Sequence, residues 1–151
     1  MSNSAPEDQS RKHWMGVLAK APAPALEARW DAFGQTPAYT WLRSPEVGSV
    51  MVQGRAGGTG TPFNLGEMTV TRCALQLEGG AVGHACVQGR NKTKATQAAL
   101  IDALMQTDAA PALRDAVIVP LEEVLAQARA TRAGKAAATK VDFFTMVRGE
   151  D

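Results

Sequence analysis

Apolar positions near the start of the chain recur with helical spacing. Trp14, Val17 and Leu18 stand at i, i+3 and i+4, one face of a helix, and Ser10 supplies a side-chain oxygen suited to its N-cap. Ala21-Pro22-Ala23-Pro24 ends that helix. Pro24 suits the first turn of a second one, with Leu26, Trp30 and Phe33 inward and Gly34 as the C-terminal stop. The pattern predicts a helical hairpin carrying two of the three tryptophans. Residues 1–9 have nothing to bury and read as a disordered leader.

From Ala38 the period shortens. Tyr39-Thr40-Trp41-Leu42 is β-prone, Ser44-Pro45-Glu46-Val47-Gly48 has turn chemistry, and Ser49 to Val52 reads as a second strand. Arg55 to Glu67 reads as a long loop, Met68 to Leu77 as a third strand and Ala81 to Gln88 as a fourth. Gly79-Gly80 between the last two fits a two-residue hairpin turn, where positive φ is required. That turn sets a register: Leu77 faces Val82, Leu75 faces His84, and Cys73 faces Cys86 on a non-hydrogen-bonded pair, with Cα atoms about 4.5 Å apart. A disulfide there would be strained, and two reduced thiols on one face are expected.

Asn91 caps a predicted helix to about Gln106, whose Ala95, Ala98, Ala99, Ile101, Leu104 and Met105 form a face of mostly small residues suited to close packing on a sheet. Thr107 to Arg114 is a connector with room for a helical turn. Val117-Ile118-Val119 is either a fifth strand or core-filling loop. Pro120-Leu121-Glu122-Glu123 opens a last helix with Leu121, Val124, Leu125 and Ala128 inward, weakened at Gly134. The expected fold is α+β: an N-terminal helical hairpin, an antiparallel sheet of four or five strands built from two β-hairpins, and helices on one face. Residues 10–151 form a single domain with an apolar C-terminal tail, residues 141–148.

Composition narrows the function classes. The 151 residues are 45% hydrophobic and 21% charged with a net charge of +1, a globular balance without bulk attraction to nucleic acid or acidic lipid. No apolar run reaches the roughly 20 residues of a membrane span, and the polar N-terminus lacks a secretory core. Two cysteines in no zinc spacing fit a cytoplasmic chain. The readings therefore exclude membrane insertion and nucleic-acid partners.

Candidate chemistry centres on a stretch written twice. Val47-Gly48-Ser49-Val50-Met51-Val52-Gln53-Gly54-Arg55 reappears as Val82-Gly83-His84-Ala85-Cys86-Val87-Gln88-Gly89-Arg90. Each copy is a strand that delivers an arginine at its tip. Arg55 opens the glycine-rich loop Gly57-Gly58-Thr59-Gly60, whose backbone amides could approach an anion, although the Gly-Lys-Ser/Thr ending of a P-loop is missing. Arg90, Lys92 and Lys94 crowd the start of the Asn91 helix, where acids are favoured and none stands; an anion there would relieve the repulsion. Arg55, Gly57, Gly58, Thr59, Gly60, Arg90, Lys92 and Lys94 are thus the candidate substrate- or anion-binding residues. His13 and His84 are the only histidines, and His84, inside a strand, is expected to be packed and hydrogen-bonded. No catalytic side chains and no metal-ligand set are read from the chain. Phe143, Phe144, Met146 and Val147 make the tail apolar. Docked on a partner or on its own domain, they would contribute on the order of 6–10 kcal/mol before ordering costs.

Several segments together resemble the PhnG family, a subunit of the bacterial carbon–phosphorus lyase core complex. They are Arg11-Lys12-His13-Trp14-Met15, Gly57-Gly58-Thr59-Gly60 with Phe63, Thr71-Arg72, Val87-Gln88-Gly89-Arg90, Ala99 to Met105, and Val141 to Gly149. The resemblance implies phosphonate breakdown, in company with PhnH-, PhnI- and PhnJ-type subunits and PhnK/PhnL-type ATP-binding-cassette proteins. It implies an accessory part in displacing adenine from ATP by methylphosphonate, giving α-D-ribose 1-methylphosphonate 5-triphosphate, with ATP as co-substrate of the complex and no cofactor held by this subunit alone. It carries no catalytic residue to a position here. A purely structural scaffold without substrate contact is the alternative.

Overall fold

A computed structural model describes the backbone of residues 4–55 and 60–149 and the side chains of residues 9–55, 60–63 and 65–137. Helix α1 spans Ser4–Lys20 and α2 spans Ala23–Phe33. Ser10 therefore lies within α1 and not at its cap, whereas Trp14, Val17 and Leu18 are all buried as their spacing requires. The α2 stop is Gly34, with φ at 76° and its N–H donating to the Trp30 carbonyl at 3.2 Å, a left-handed cap that glycine adopts without strain.

Three antiparallel strands follow among the described residues, in the order β1-β2-β3: β1 Tyr39–Arg55, β2 Pro62–Leu77 and β3 Val82–Gln88. The strands expected at 39–42 and 49–52 are one continuous strand. Pairing with β2 skips residues between Trp41 and Arg43 and between Arg43 and Glu46, so Ser44-Pro45 is absorbed as an irregularity in an edge strand, where a missing N–H is tolerated. The expected loop from Arg55 to Glu67 also shortens, because Pro62 to Glu67 belong to β2.

The β2–β3 hairpin falls where Gly79-Gly80 places it, but with a three-residue loop. Leu77 and Ala81 close it, with the Leu77 N–H donating to the Ala81 carbonyl at 2.8 Å and the Gly80 N–H to the Leu77 carbonyl at 2.9 Å. Gly80 alone takes a positive φ, 103°, while Gly79 does not. The register shifts by one as a result, pairing Cys73 with Ala85 and Arg72 with Cys86. Because side chains alternate faces along a strand, Cys73 is buried and Cys86 exposed, and the expected cysteine pair does not form. The Cys73 thiol donates to the Ala95 carbonyl at 3.3 Å, and burial pushes its pKa up to about 11. Iodoacetamide at about pH 8 is expected to modify Cys86 in the native protein and spare Cys73, since the thiolate is the nucleophile. Equal labelling of both in a peptide map would contradict this register.

Helix α3, Lys92–Leu104, lies across the sheet. The Asn91 side chain accepts from the Lys94 N–H at 2.9 Å as the cap. Thr71 joins helix to sheet: its hydroxyl donates to the Gly89 carbonyl at 2.7 Å and accepts from the Asn91 N–H at 3.0 Å. The small face of α3 does what its composition suggests. A Cβ on Gly83 would overlap the Ala99 carbonyl oxygen and stand 2.9 Å from the Ala103 Cβ, so strand and helix meet almost backbone to backbone.

Past α3 and a turn at residues 105–109, the described residues are helical: α4 Ala110–Leu113, a π-helical turn Arg114–Ile118, and α5 Val119–Gly149. Val117-Ile118-Val119 is therefore no strand; Val117 and Ile118 fill the core from the π turn. The α5 stripe is shorter than expected. Leu121 is buried and Leu125 packs on the core, but Val124 and Ala128 are exposed, and α5 runs through Gly134. The side chains of Phe143, Phe144, Met146 and Val147 lie outside the described residues.

Candidate functional site

Among the described residues, the best-connected polar centre is one that no sequence motif announces. Asp102 is fully buried on α3. Its Oδ1 accepts from Trp14 Nε1 at 2.8 Å and Arg11 Nε at 3.2 Å, and its Oδ2 from Arg11 Nη2 at 2.9 Å and the His84 backbone N–H at 2.9 Å. One carboxylate thereby fastens α1, α3 and β3 together, with four donors on its two oxygens. A buried charge is tolerated when paired and hydrogen-bonded in this way. The available signal was an acid inside an apolar helical face, opposite Arg11 and Trp14 at i, i+3 on another. What it lacked was any indication of which helix it would meet.

Beside this junction, α1 and α5 border a cleft of about 520 Å³. Trp14, Met105 and Ile118 contribute its apolar lining, and Gln9, Ser10, His13, Arg114 and Glu122 its polar one. His13 Nε2 stands 3.0 Å from Glu122 Oε1. An imidazole held by a carboxylate can move a proton, but both side chains are well exposed here, and such a pair is worth well under about 1 kcal/mol to the fold.

The repeated strand tips are not brought together. Gln88, just before Gly89-Arg90, pairs with Val70, and Val70 pairs with Gly48. Arg55 lies at the far end of β1, roughly 20 Å farther along at about 3.3 Å per residue. Arg55 Nη1 donates to the Gly60 carbonyl at 3.4 Å across the loop mouth; Gly57, Gly58 and Thr59 lie outside the described residues. Arg90 and Lys92 are exposed at the start of α3. Lys94 turns inward: it is 7% exposed, its ammonium donates to the Ala19 carbonyl near the end of α1 at 3.0 Å, and burial lowers its pKa from the usual 10.5. It answers the C-terminal end of α1, where cations are favoured, and so is engaged within the fold. His84 is not packed as expected. Its side chain is exposed, and the residue serves the core through its backbone N–H.

Comparison with known proteins places these features in context. A model of the family described as "Phosphonate metabolism protein PhnG" matches residues 9–149. The chain is 45% identical over 141 residues, 93% of this chain and 90% of the relative, to the Alpha-D-ribose 1-methylphosphonate 5-triphosphate synthase subunit PhnG of Rhizobium meliloti (strain 1021). The Asp102 junction and the His13–Glu122 cleft both lie within the matched residues.

Proposed function

The chain belongs to the PhnG family of phosphonate-metabolism proteins, and from that membership we propose that it is an accessory, non-catalytic subunit of an α-D-ribose 1-methylphosphonate 5-triphosphate synthase. In this reading it supports the displacement of adenine from ATP by methylphosphonate, a transferase reaction, and is inactive alone. The observation that carries it is the near full-length match to a relative named as a subunit of that synthase. Its partners are PhnH-, PhnI- and PhnJ-type subunits, with PhnK/PhnL-type ATP-binding-cassette proteins joining, in the cytoplasm. No helix among the described residues is long and apolar enough to cross a membrane.

The accessory role is supported by what the charged side chains do. Asp102 and Lys94, the buried acid and the buried amine, are both taken up in holding α1 against the body. His13 and Glu122 are solvated, and Arg55 at the end of β1 stands apart from Arg90 beyond the end of β3. That separation also favours the second reading, a scaffold without substrate contact.

The test is adenine release from ATP and methylphosphonate by the reconstituted synthase subunits. Release is expected with the chain present, none with the chain alone, and a loss of at least about tenfold when it is omitted. Turnover by the isolated chain would overturn the non-catalytic assignment. The Arg55→Ala, Arg90→Ala double variant separates the two readings. Lost release with assembly intact assigns a substrate contact to these arginines, whereas release lost together with assembly favours the scaffold.

A further inference from the structure

One element stands clear of the packed body. β3 ends at Gln88 opposite Val70, the Gly89 N–H makes a last bond to the Thr69 carbonyl at 2.8 Å, and Gly89, at a φ of 87°, turns the chain away into α3. Beyond that level β1 and β2 continue as a two-stranded ribbon, paired from Ser49↔Thr69 out to Arg55↔Pro62. A bare ribbon is the least self-sufficient form of sheet, and this one exposes large apolar side chains, Met51 53%, Phe63 47% and Leu65 62%, with Val47, 38% exposed, on β1 at its base.

Those side chains occupy both faces. Val47 and Met51 pair with Thr71 and Glu67, on the face that carries α3 farther down. At the far end the register shift between Val52 and Gln53 leaves Leu65 as the extra residue of β2, which turns Phe63 to the face opposite Glu67. Phe63 pairs there with Gly54, and Leu65 lies over Gly54 so closely that a Cβ on that glycine would meet its Cδ1 at 3.0 Å. A flat partner surface could cover one of these faces but not both; a cleft covers both.

Charge narrows the occupant further. Arg55 at the outer end and Arg90 and Lys92 at the base are exposed, the first turn of α3 holds no acid, and Glu67 is the one acid among the described ribbon side chains. The complementary surface is therefore acidic at its rim. A second copy of this chain fits poorly, because its cleft of about 460 Å³ carries Arg11 and Lys12 and no acid, and in its cleft of about 520 Å³ the one carboxylate, Glu122, is already held by His13 and stands with Arg114. Like charge would meet like.

We propose that the ribbon, residues 49–55 and 62–69, is a docking arm that inserts into an apolar, carboxylate-rimmed cleft on a different subunit of the synthase. This rests on the subunit reading above and specifies where that subunit is held. Apolar anchors enclosed from both sides carry most of an interface's affinity, while Arg55, Arg90 and Lys92 orient the encounter and make it salt-dependent.

The test uses the full chain reconstituted with the other synthase subunits, followed by size-exclusion chromatography with light scattering and by titration of the association. The Met51→Glu, Phe63→Glu double variant is expected to keep the wild-type unfolding midpoint, since both side chains are exposed, and to weaken assembly by roughly 30-fold or more. The Arg90→Glu, Lys92→Glu variant is expected to weaken it less and to flatten its salt dependence. A photo-crosslinking residue at Leu65 should join a different subunit at a segment bordered by Asp or Glu, and this readout holds even if the double variant folds poorly. Normal assembly of a folded double variant, or a cross-link to a second copy of this chain, overturns the docking arm and leaves the subunit reading intact. A wild-type chain that joins no other subunit overturns the subunit reading itself.

Discussion

Asp102→Ala is expected to destabilise the protein by about 3 kcal/mol, read from the urea midpoint at constant slope. The change removes the acceptor of four hydrogen bonds at once. The Trp14 indole N–H is buried and finds no replacement, and a buried donor left unpaired costs roughly 1–3 kcal/mol. Arg11 is 34% exposed and can turn toward water, which keeps the total below the upper end for broken buried ion pairs. Asp102→Asn should fall between. Its carbonyl oxygen can still accept from one side, while its amide meets only donors on the other. Trp14→Phe should cost less in the Asp102→Ala background than in the wild type, because the two share one bond. Full additivity of those two changes would show that the junction does not hold α1 as described.

Gly83→Ala is expected to cost about 2–3 kcal/mol although it adds one methyl group to a buried strand. Most strand positions would gain from the swap, since alanine is less costly to order than glycine. Here the added Cβ overlaps the Ala99 carbonyl oxygen and crowds the Ala103 backbone nitrogen at 2.9 Å. Neither can rotate away, so α3 must lift from β3. The next residue, His84, donates its N–H to Asp102, and lifting the helix stretches that bond too. The effect should appear as a drop in Tm of roughly 5–10 °C, at about 2–4 °C per kcal/mol for a chain of this size. Gly83→Ala and Asp102→Ala should together cost less than their sum. An unchanged Tm in Gly83→Ala would mean that strand and helix stand farther apart than the structure places them.

These two sites differ in how far they could be anticipated. The run of small residues on the Asn91 helix announces a close approach to a sheet, and Gly83 lies on the strand that helix covers. The identity of the glycine beneath Ala99 depends on register. Register depended in turn on whether the β2–β3 turn used two residues or three, and the answer was Gly80 at positive φ closing a longer loop. That one-residue difference moved Cys86 to the exposed face and dissolved an expected thiol pair. Asp102 was legible as an acid in an apolar face, but its donors come from residues 11, 14 and 84, brought together only when α1 crosses the sheet edge.

Local chemistry settled the elements that depend on neighbours in the chain. The Gly34 stop, the Asn91 cap, the α1 and α2 stripes and the site of the β2–β3 hairpin all follow from backbone preferences within a few residues. The sequence pattern over nearly the whole chain likewise determined the family. Tertiary structure decided what depends on pairing. Ser44-Pro45 reads as a turn in isolation but becomes an irregularity once β2 offers a partner along its whole length. Lys94 reads as a free cation until the end of α1 arrives beside it. The two Val-Gln-Gly-Arg copies read as two strand tips of like design, and strand pairing sets their arginines roughly 20 Å apart. Composition and spacing determine what a segment can form; long-range contacts, which the local sequence does not encode, determine which of its options is taken.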